Sequence, residues 1–290
     1  MLFQLVLNGF VAGSAIALLS LGFSILYSGC RFFAFTYSAS YSWAAYAALA
    51  AAAYVPRVPA AVAGISVAAL VGVALEAILY GPIRRRGEKP LVLMLASIGA
   101  YTVLQNMISI AFSDSALSAR TGIIREGYLF LGARITGIQI AEVVLASCAI
   151  LAACLVLRFT ALGLHLRAVA SDRELALISG IGVRRSVLFG AGIGSALAGV
   201  AAVLISLDTG LLPTMGFQAL LLAIVACIIG GAGNLLGAVC GGMLLGLLQQ
   251  ISVWKLSTQW QDAIVFFTLI LFLVFRPKGI FGGPSSAPAK

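Results

Sequence analysis

The sequence predicts an all-α, polytopic membrane protein with about eight or nine transmembrane or re-entrant helices and one short helix outside the bilayer. Three observations carry that reading. Of 290 residues, 62% are hydrophobic and only 9% charged, with a mean hydropathy of +1.11, whereas a water-soluble surface needs roughly a quarter of its residues charged. Apolar runs approaching the roughly 20 residues that a hydrocarbon core demands recur along the whole chain. The basic residues sit beside those runs rather than along one amphipathic face, so the net charge of +9 reports orientation, not a nucleic-acid surface.

Nine apolar segments follow in order: 3–27, 33–54, 60–80, 91–112, 138–157, 187–206, 216–230, 238–252 and 261–275. They make one membrane domain of 1–290 and leave little chain for a soluble one. The first has no basic lead-in and is longer than a signal-peptide core, so it is expected to remain as a span. Thirteen basic residues fall on one side of the alternation: Arg31, Arg84, Arg85, Arg86, Lys89, Arg158, Arg167, Arg173, Arg184, Arg185, Arg276, Lys278 and Lys290. The other side holds five, Arg57, Arg120, Arg125, Arg134 and Lys255. Excess positive charge marks the cytoplasmic side, which puts the N-terminus outside and the C-terminus inside.

The segments 216–230 and 238–252 are short and flank GGAGNLLGAVCGG. They read as two spans or as one re-entrant hairpin, and either leaves the C-terminus inside. Gly233, Gly237 and Gly241 stand four apart with Gly242 and Gly246 beside them, a spacing that lets helix backbones approach closely in lipid. No glycine-rich loop here ends in Lys-Ser or Lys-Thr, so phosphate cradling of the P-loop kind is not supported. The outer segment 113–137, SDSALSARTGIIREGYLFLGARITG, allows a small hairpin that serves either as a surface for another protein or as a connector.

The longest polar interruption on the basic side is 158–186. Ser171 and Glu174 in Ser-Asp-Arg-Glu have the spacing of a capping box, which predicts a helix from Glu174 to Ser179. Gly180 and Gly182 stop it. A short capped helix there suits a groove on a soluble partner, or else is a linker that touches headgroups.

Little chemistry is available to the chain alone. His165 is the single histidine, and HExxH, GxSxG and P-loop patterns are absent, which removes histidine-based zinc sites and a His-centred triad. Cys30, Cys148, Cys154, Cys227 and Cys240 are odd in number and lack ligand spacing, so they read as packing thiols. Glu76, Glu142, Asp208 and Asp262 lie near span ends or in connectors and read as interfacial, with Glu76 the strongest exception because Arg84 to Arg86 share its side. Catalysis and ion coupling are poorly supported. A solute pathway energised by another chain remains, beside a self-sufficient secondary transporter or channel for a small polar solute.

Several stretches carry a resemblance: NGFVAGSAIALLSLGFSILYS (8–28), GPIRRR (81–86), LASIGAYTVLQN (95–106), the run from LRAVASDRELALISGIGVRRS to GVAAVL (166–204), PTMGFQALLLAIVACIIGGAGNLLGAVCGGMLLGLLQ (213–249) and FRPKGIFG (275–282). Over nearly its whole length the sequence resembles the permease subunits of branched-chain amino-acid ABC importers, a family that includes urea and short-chain amide permeases. The resemblance implies a bacterial inner-membrane assembly of two permease subunits, usually related but different chains, with two cytosolic ATPase subunits and an external substrate-binding protein. It implies no cofactor on this chain, ATP being bound by the partners. Segment 167–182 then corresponds to the coupling helix, with Arg167, Ser171, Asp172, Arg173, Glu174 and Gly180 as its contact or geometry residues.

One departure stands out. Where family members commonly carry an Asn-Phe-Ala-His-Gly-like run, this chain has Phe33-Ala34-Phe35-Thr36-Tyr37-Ser38-Ala39-Ser40. Read as a helix, Thr36 with Ser40, Tyr37 with Tyr41, and Ser38 with Ser42 are each four apart. These hydroxyls line a path for a small polar solute or bond neighbouring helices. Gln105 and Asn106 admit the same two readings.

Overall fold

The computed structural model describes residues 2–113, 115, 128–130, 133–254 and 257–281. Arg120, Arg125, Lys255, Lys290, the middle of the outer segment, the last residue of FRPKGIFG and the side chain of Asp208 lie outside the described residues.

Each of the nine apolar segments is helical. In order they are α1 (Leu2–Cys30), α2 (Thr36–Ala51), α3 (Arg57–Leu75), α5 (Pro90–Phe112), α6 (Gly137–Phe159), α9 (Val183–Thr209), α10 (Met215–Gly230), α11 (Leu235–Ser252) and α12 (Gln261–Phe275). Three short helices, α4 (Gly81–Arg85), α7 (Ala161–Ser171) and α8 (Arg173–Ile178), lie between them. Among the described residues, six helical stretches are long and apolar enough to cross a membrane, while α10 and α12 are apolar but shorter. The outer segment carries an antiparallel pair, β1 (Tyr128–Phe130) with β2 (Ala133–Ile135).

α1 is the hub. It packs against α11, α9, α10 and α6, and Leu18, Leu19, Leu21, Phe23 and Ile25 are all fully buried. A helix apolar on every side can be enclosed all round, and from Gly13 to Leu26 this one is. Without a hydrophobic drive between helices in lipid, its contacts rest on close van der Waals fit at small residues. A Cβ added at Gly246 would stand 2.2 Å from the Gly13 Cα, and one at Gly242 would stand 2.4 Å from the Ala17 Cα. On the α9 side, a Cβ at Gly22 would meet the Gly194 carbonyl oxygen at 2.7 Å.

α10 and α11 are antiparallel partners joined at 231–234, and the chain after α12 returns to that turn. Ile280 and Phe281 donate their amides to the carbonyls of Ile229 and Gly230 at 2.8 and 3.0 Å, and Asn234 Nδ2 donates to the Phe281 carbonyl at 3.0 Å. Arg276 and Lys278 just upstream belong outside hydrocarbon. The turn therefore lies against the C-terminal segment.

α3 does not end at Leu75 but widens into a π-helical turn, Glu76–Tyr80, and continues as α4. Pro82 at the start of α4 has no amide to give the preceding turn, and the ladder re-forms around it.

Gly246→Val is expected to abolish the monodisperse peak in fluorescence-detected size exclusion, because backbone lies where its side chain must go. Gly99→Ala, which meets nothing within 4 Å, is expected to leave that peak unchanged.

Candidate functional site

Two groups of residues meet at the end of the bundle where α1 finishes. The first is built on α7 and α8. Thr160 Oγ1 accepts from the Gly163 amide at 3.1 Å to open α7, and Leu166 and Val169 are buried beneath it. Leu166 lies against Gly29 of α1 and Gly190 of α9. Arg31 at the end of α1 donates Nη2 to the Ala170 carbonyl and, at 3.3 Å, to that of Ser171. The segment is thereby fastened to the hub.

The capping expectation is corrected here. Ser171 is the last residue of α7, and the cap of α8 is Asp172, whose Oδ1 accepts from the amides of Glu174 and Leu175 at 2.8 and 3.1 Å. Asp172 is the extended residue between the helices, with φ −145° and ψ 117°, so the backbone break falls one position later than the serine requires. Helix α8 then begins at Arg173. Its stop is as expected: Gly180 takes φ +77°, Ile181 donates to Ala176 and Gly180 to Leu177, both at 3.0 Å, the pair of bonds of a Schellman end.

α8 has three faces. Ala176 is buried, Arg173 and Leu177 border a cavity, and Glu174, Leu175 and Ile178 face outward, the two aliphatics 61% and 84% exposed. Arg167 sits apart from them, exposed, with Nη2 donating to the Arg158 carbonyl at 3.4 Å at the end of α6.

The second group surrounds Glu76. Glu76, the expected exception, is only 4% exposed, and contrary to the interfacial reading so is Glu142 at 5%. Arg84 Nη1 donates to Glu76 Oε1 at 2.7 Å and Nη2 to Oε2 at 3.4 Å. The wide π turn slows the winding, so residues eight apart fall on one side of the helix and the arginine reaches back. Cys30 Sγ lies 3.5 Å from the same carboxylate.

Above this pair stand the α2 hydroxyls. Thr36 Oγ1 and Tyr80 Oη are hydrogen-bonded at 2.5 Å, Tyr37 Oη donates to the Leu19 carbonyl at 2.8 Å, Ser38 Oγ to that of Phe35 at 2.5 Å, and Ser40 Oγ to that of Thr36 at 3.5 Å. All four, with Tyr41, are buried. Thr36, Tyr37, Ser40, Glu76, Tyr80 and Ser195 border a cavity of about 10 Å³, which holds one water at most. Gln105 and Asn106 are not brought to it. On α5, Gln105 is half-buried and Asn106 exposed, its Nδ2 donating to the Thr102 carbonyl at 2.8 Å. The sequence reading missed Tyr80 and Ser195; only the four-residue spacing of Glu76 and Tyr80 hinted at the former.

The geometry joins a multi-pass helical bundle to a short helix held beyond its spans by α7 and Arg31. A family model described as the permease component of the branched-chain amino acid transport system matches residues 5–273. The chain belongs to this family. High-affinity branched-chain amino acid transport system permease proteins are similar to it throughout: LivH of Escherichia coli K12 is 30% identical, covering 97% of this chain and 96% of its own. BraD of Pseudomonas aeruginosa is 31% identical with the same coverage. Among solved structures, PsaBC from Streptococcus pneumoniae in complex with Fab superposes with a TM-score of 0.55 at 11% identity, covering 94% of this permease and 92% of that chain. That likeness speaks for the fold alone.

In this permease the buried pair is sensitive to loss of either partner. Glu76→Gln leaves Arg84 charged and unbalanced and is expected to cost on the order of 3 kcal/mol of stability, read as a lowered midpoint of thermal unfolding in detergent. Glu76→Leu combined with Arg84→Met is expected to recover most of that loss.

Proposed function

We propose that the chain is a permease subunit of an ATP-driven importer, forming with a second, related permease the pathway for a branched-chain or other small amino acid across the bacterial inner membrane. The observation that carries this reading is α8. It is a helix capped at both ends, fastened through α7 to α1 and α9, and turned so that Glu174, Leu175 and Ile178 face away from the chain. An exposed aliphatic pair beside a carboxylate, on a helix that cannot shift freely against the bundle, is a surface for a soluble partner. The partner fits the role of the ATPase, so hydrolysis belongs to it and this chain holds no cofactor. Arg167, Asp172, Arg173 and Gly180 set the geometry of the segment, with Ser171 closing the helix before it.

The pathway side is supported by α5. Near the middle of that helix Thr102 and Asn106 are exposed, with Tyr101 and Gln105 half-buried, on a helix whose remaining outer face is apolar. Polar groups at that depth are poorly suited to lipid and well suited to a second permease or a solute path. The hydroxyls of Thr36, Tyr37, Ser38, Ser40 and Tyr41 stand behind it and stiffen α2. Import implies an external binding protein, which the outer loops meet. The N-terminus lies outside, and the C-terminus and α8 inside.

Transport reads out the proposal. The assembly purified in mild detergent and placed in proteoliposomes is expected to take up a branched-chain amino acid only with ATP and a binding protein; uptake by this chain alone under an ion gradient would overturn the reading. Glu174→Lys and Ile178→Asp are each expected to reduce copurification of the ATPase severalfold while the protein still inserts. Normal recovery from both would remove α8 from the contact.

A further inference from the structure

A second cavity, of about 240 Å³, opens between α4, α8 and the start of α9. Arg84, Arg85, Arg173 and Arg184 border it, with Glu76 as the carboxylate of the lining. That carboxylate is already engaged by Arg84, so three guanidinium charges in the lining have no opposite charge there to match them. The Arg84 Nε is buried and has no hydrogen-bond partner among the described residues. Partial desolvation at the cavity wall, with the Arg84 charge beside it, holds the Arg173 guanidinium below its ordinary pKa, as expected where like charges are crowded.

Val183 and Arg184 also border this cavity and are the first residues of the 27-residue helix α9, which has no side-chain cap. Free amides and the positive end of the helix dipole therefore add to the arginines. Planar guanidiniums pair bidentately with phosphate oxygens, and a group with several oxygens is needed to serve more than one of them. The volume is below the roughly 300–1,000 Å³ of drug-sized sites and suits a single headgroup. Its position, at the ends of α4 and α9 beside the membrane boundary, is the level at which headgroups lie.

We infer that this cavity binds a phosphate group, carried either by an anionic phospholipid of the adjoining leaflet or by a soluble phosphate compound. Bound there, the phosphate relieves the repulsion between Arg84 and Arg173 and ties α8 to α4 and α9. The site is separate from the outward face of α8: Arg173 and Leu177 point to the cavity, whereas Glu174, Leu175 and Ile178 turn away from it. The inference does not depend on the transport reading, because it concerns the purified chain.

The test uses the full chain in detergent, stripped of lipid, titrated with inorganic phosphate, with short-chain phosphatidylglycerol and with short-chain phosphatidylcholine. At least one of the two anionic probes is expected to bind. Combining Arg173→Gln with Arg184→Gln, both at exposed positions, is expected to weaken that binding by about tenfold or more. Arg185→Gln, which removes the same kind of charge from outside the lining, is expected to leave it unchanged. Phosphatidylglycerol that inorganic phosphate does not displace assigns the site to lipid, and displacement or direct phosphate binding assigns it to a soluble phosphate. The inference fails if neither anionic probe binds, if phosphatidylcholine binds as well as phosphatidylglycerol, or if Arg185→Gln loses as much as the cavity variants.

Discussion

Backbone-to-backbone contact along α1 is the constraint on which the rest of the structure depends. Water drives soluble cores together, but lipid is as apolar as leucine and gives helices no such reason to associate. What holds α1 to α11 and α9 is the closeness that glycine permits, at Gly13 with Gly246, Ala17 with Gly242 and Gly22 with Gly194. Serines add to it where backbones meet, as when Ser20 Oγ donates to the Ala238 carbonyl at 2.6 Å. Because these contacts exclude even one methyl group, the register of the three helices is fixed. α7 inherits that register through Leu166, and α8 inherits it from α7. A force applied to α8 is therefore passed to the hub without slack in between.

The Glu76 and Arg84 pair does a different job. Two charges taken out of water cost several kcal/mol each, and their attraction returns that only with good geometry. A leucine and a methionine would fill the space at less risk. The pair instead spans the π turn, and Glu76 borders both the small cavity under the α2 hydroxyls and the arginine-lined one. Tyr80 and Thr36, bonded to each other, line the same small cavity as Glu76.

Much of this was legible in the sequence. Nine apolar segments emerged as nine helices because a twenty-residue apolar run in a chain with so few charges has few other fates. The glycines of 230–246 were legible as packing residues, although Gly233 takes φ +87° in a turn instead. The stop at Gly180 was legible for the same conformational reason. Less accessible was the cap. The Ser171 pattern is local and presumes a loop before the serine, whereas α7 runs through it and hands the role to Asp172. The basic run at Arg84 to Arg86 marked Glu76 as the exception among the acidic residues, but which of the three arginines it meets depends on the π turn, which the sequence does not announce. Nor does spacing alone tell a hydroxyl that bonds within the protein, such as that of Tyr37, from one facing a solute.

The most direct test of the account is a crosslink. Replacing Ile178 with a photoreactive phenylalanine analogue and irradiating native membranes should attach an ATP-hydrolysing subunit to this chain, with no such product from Val103 on the outer face of α5. If position 178 captures only lipid, or no protein at all, the outward face of α8 is not the point at which energy enters this permease.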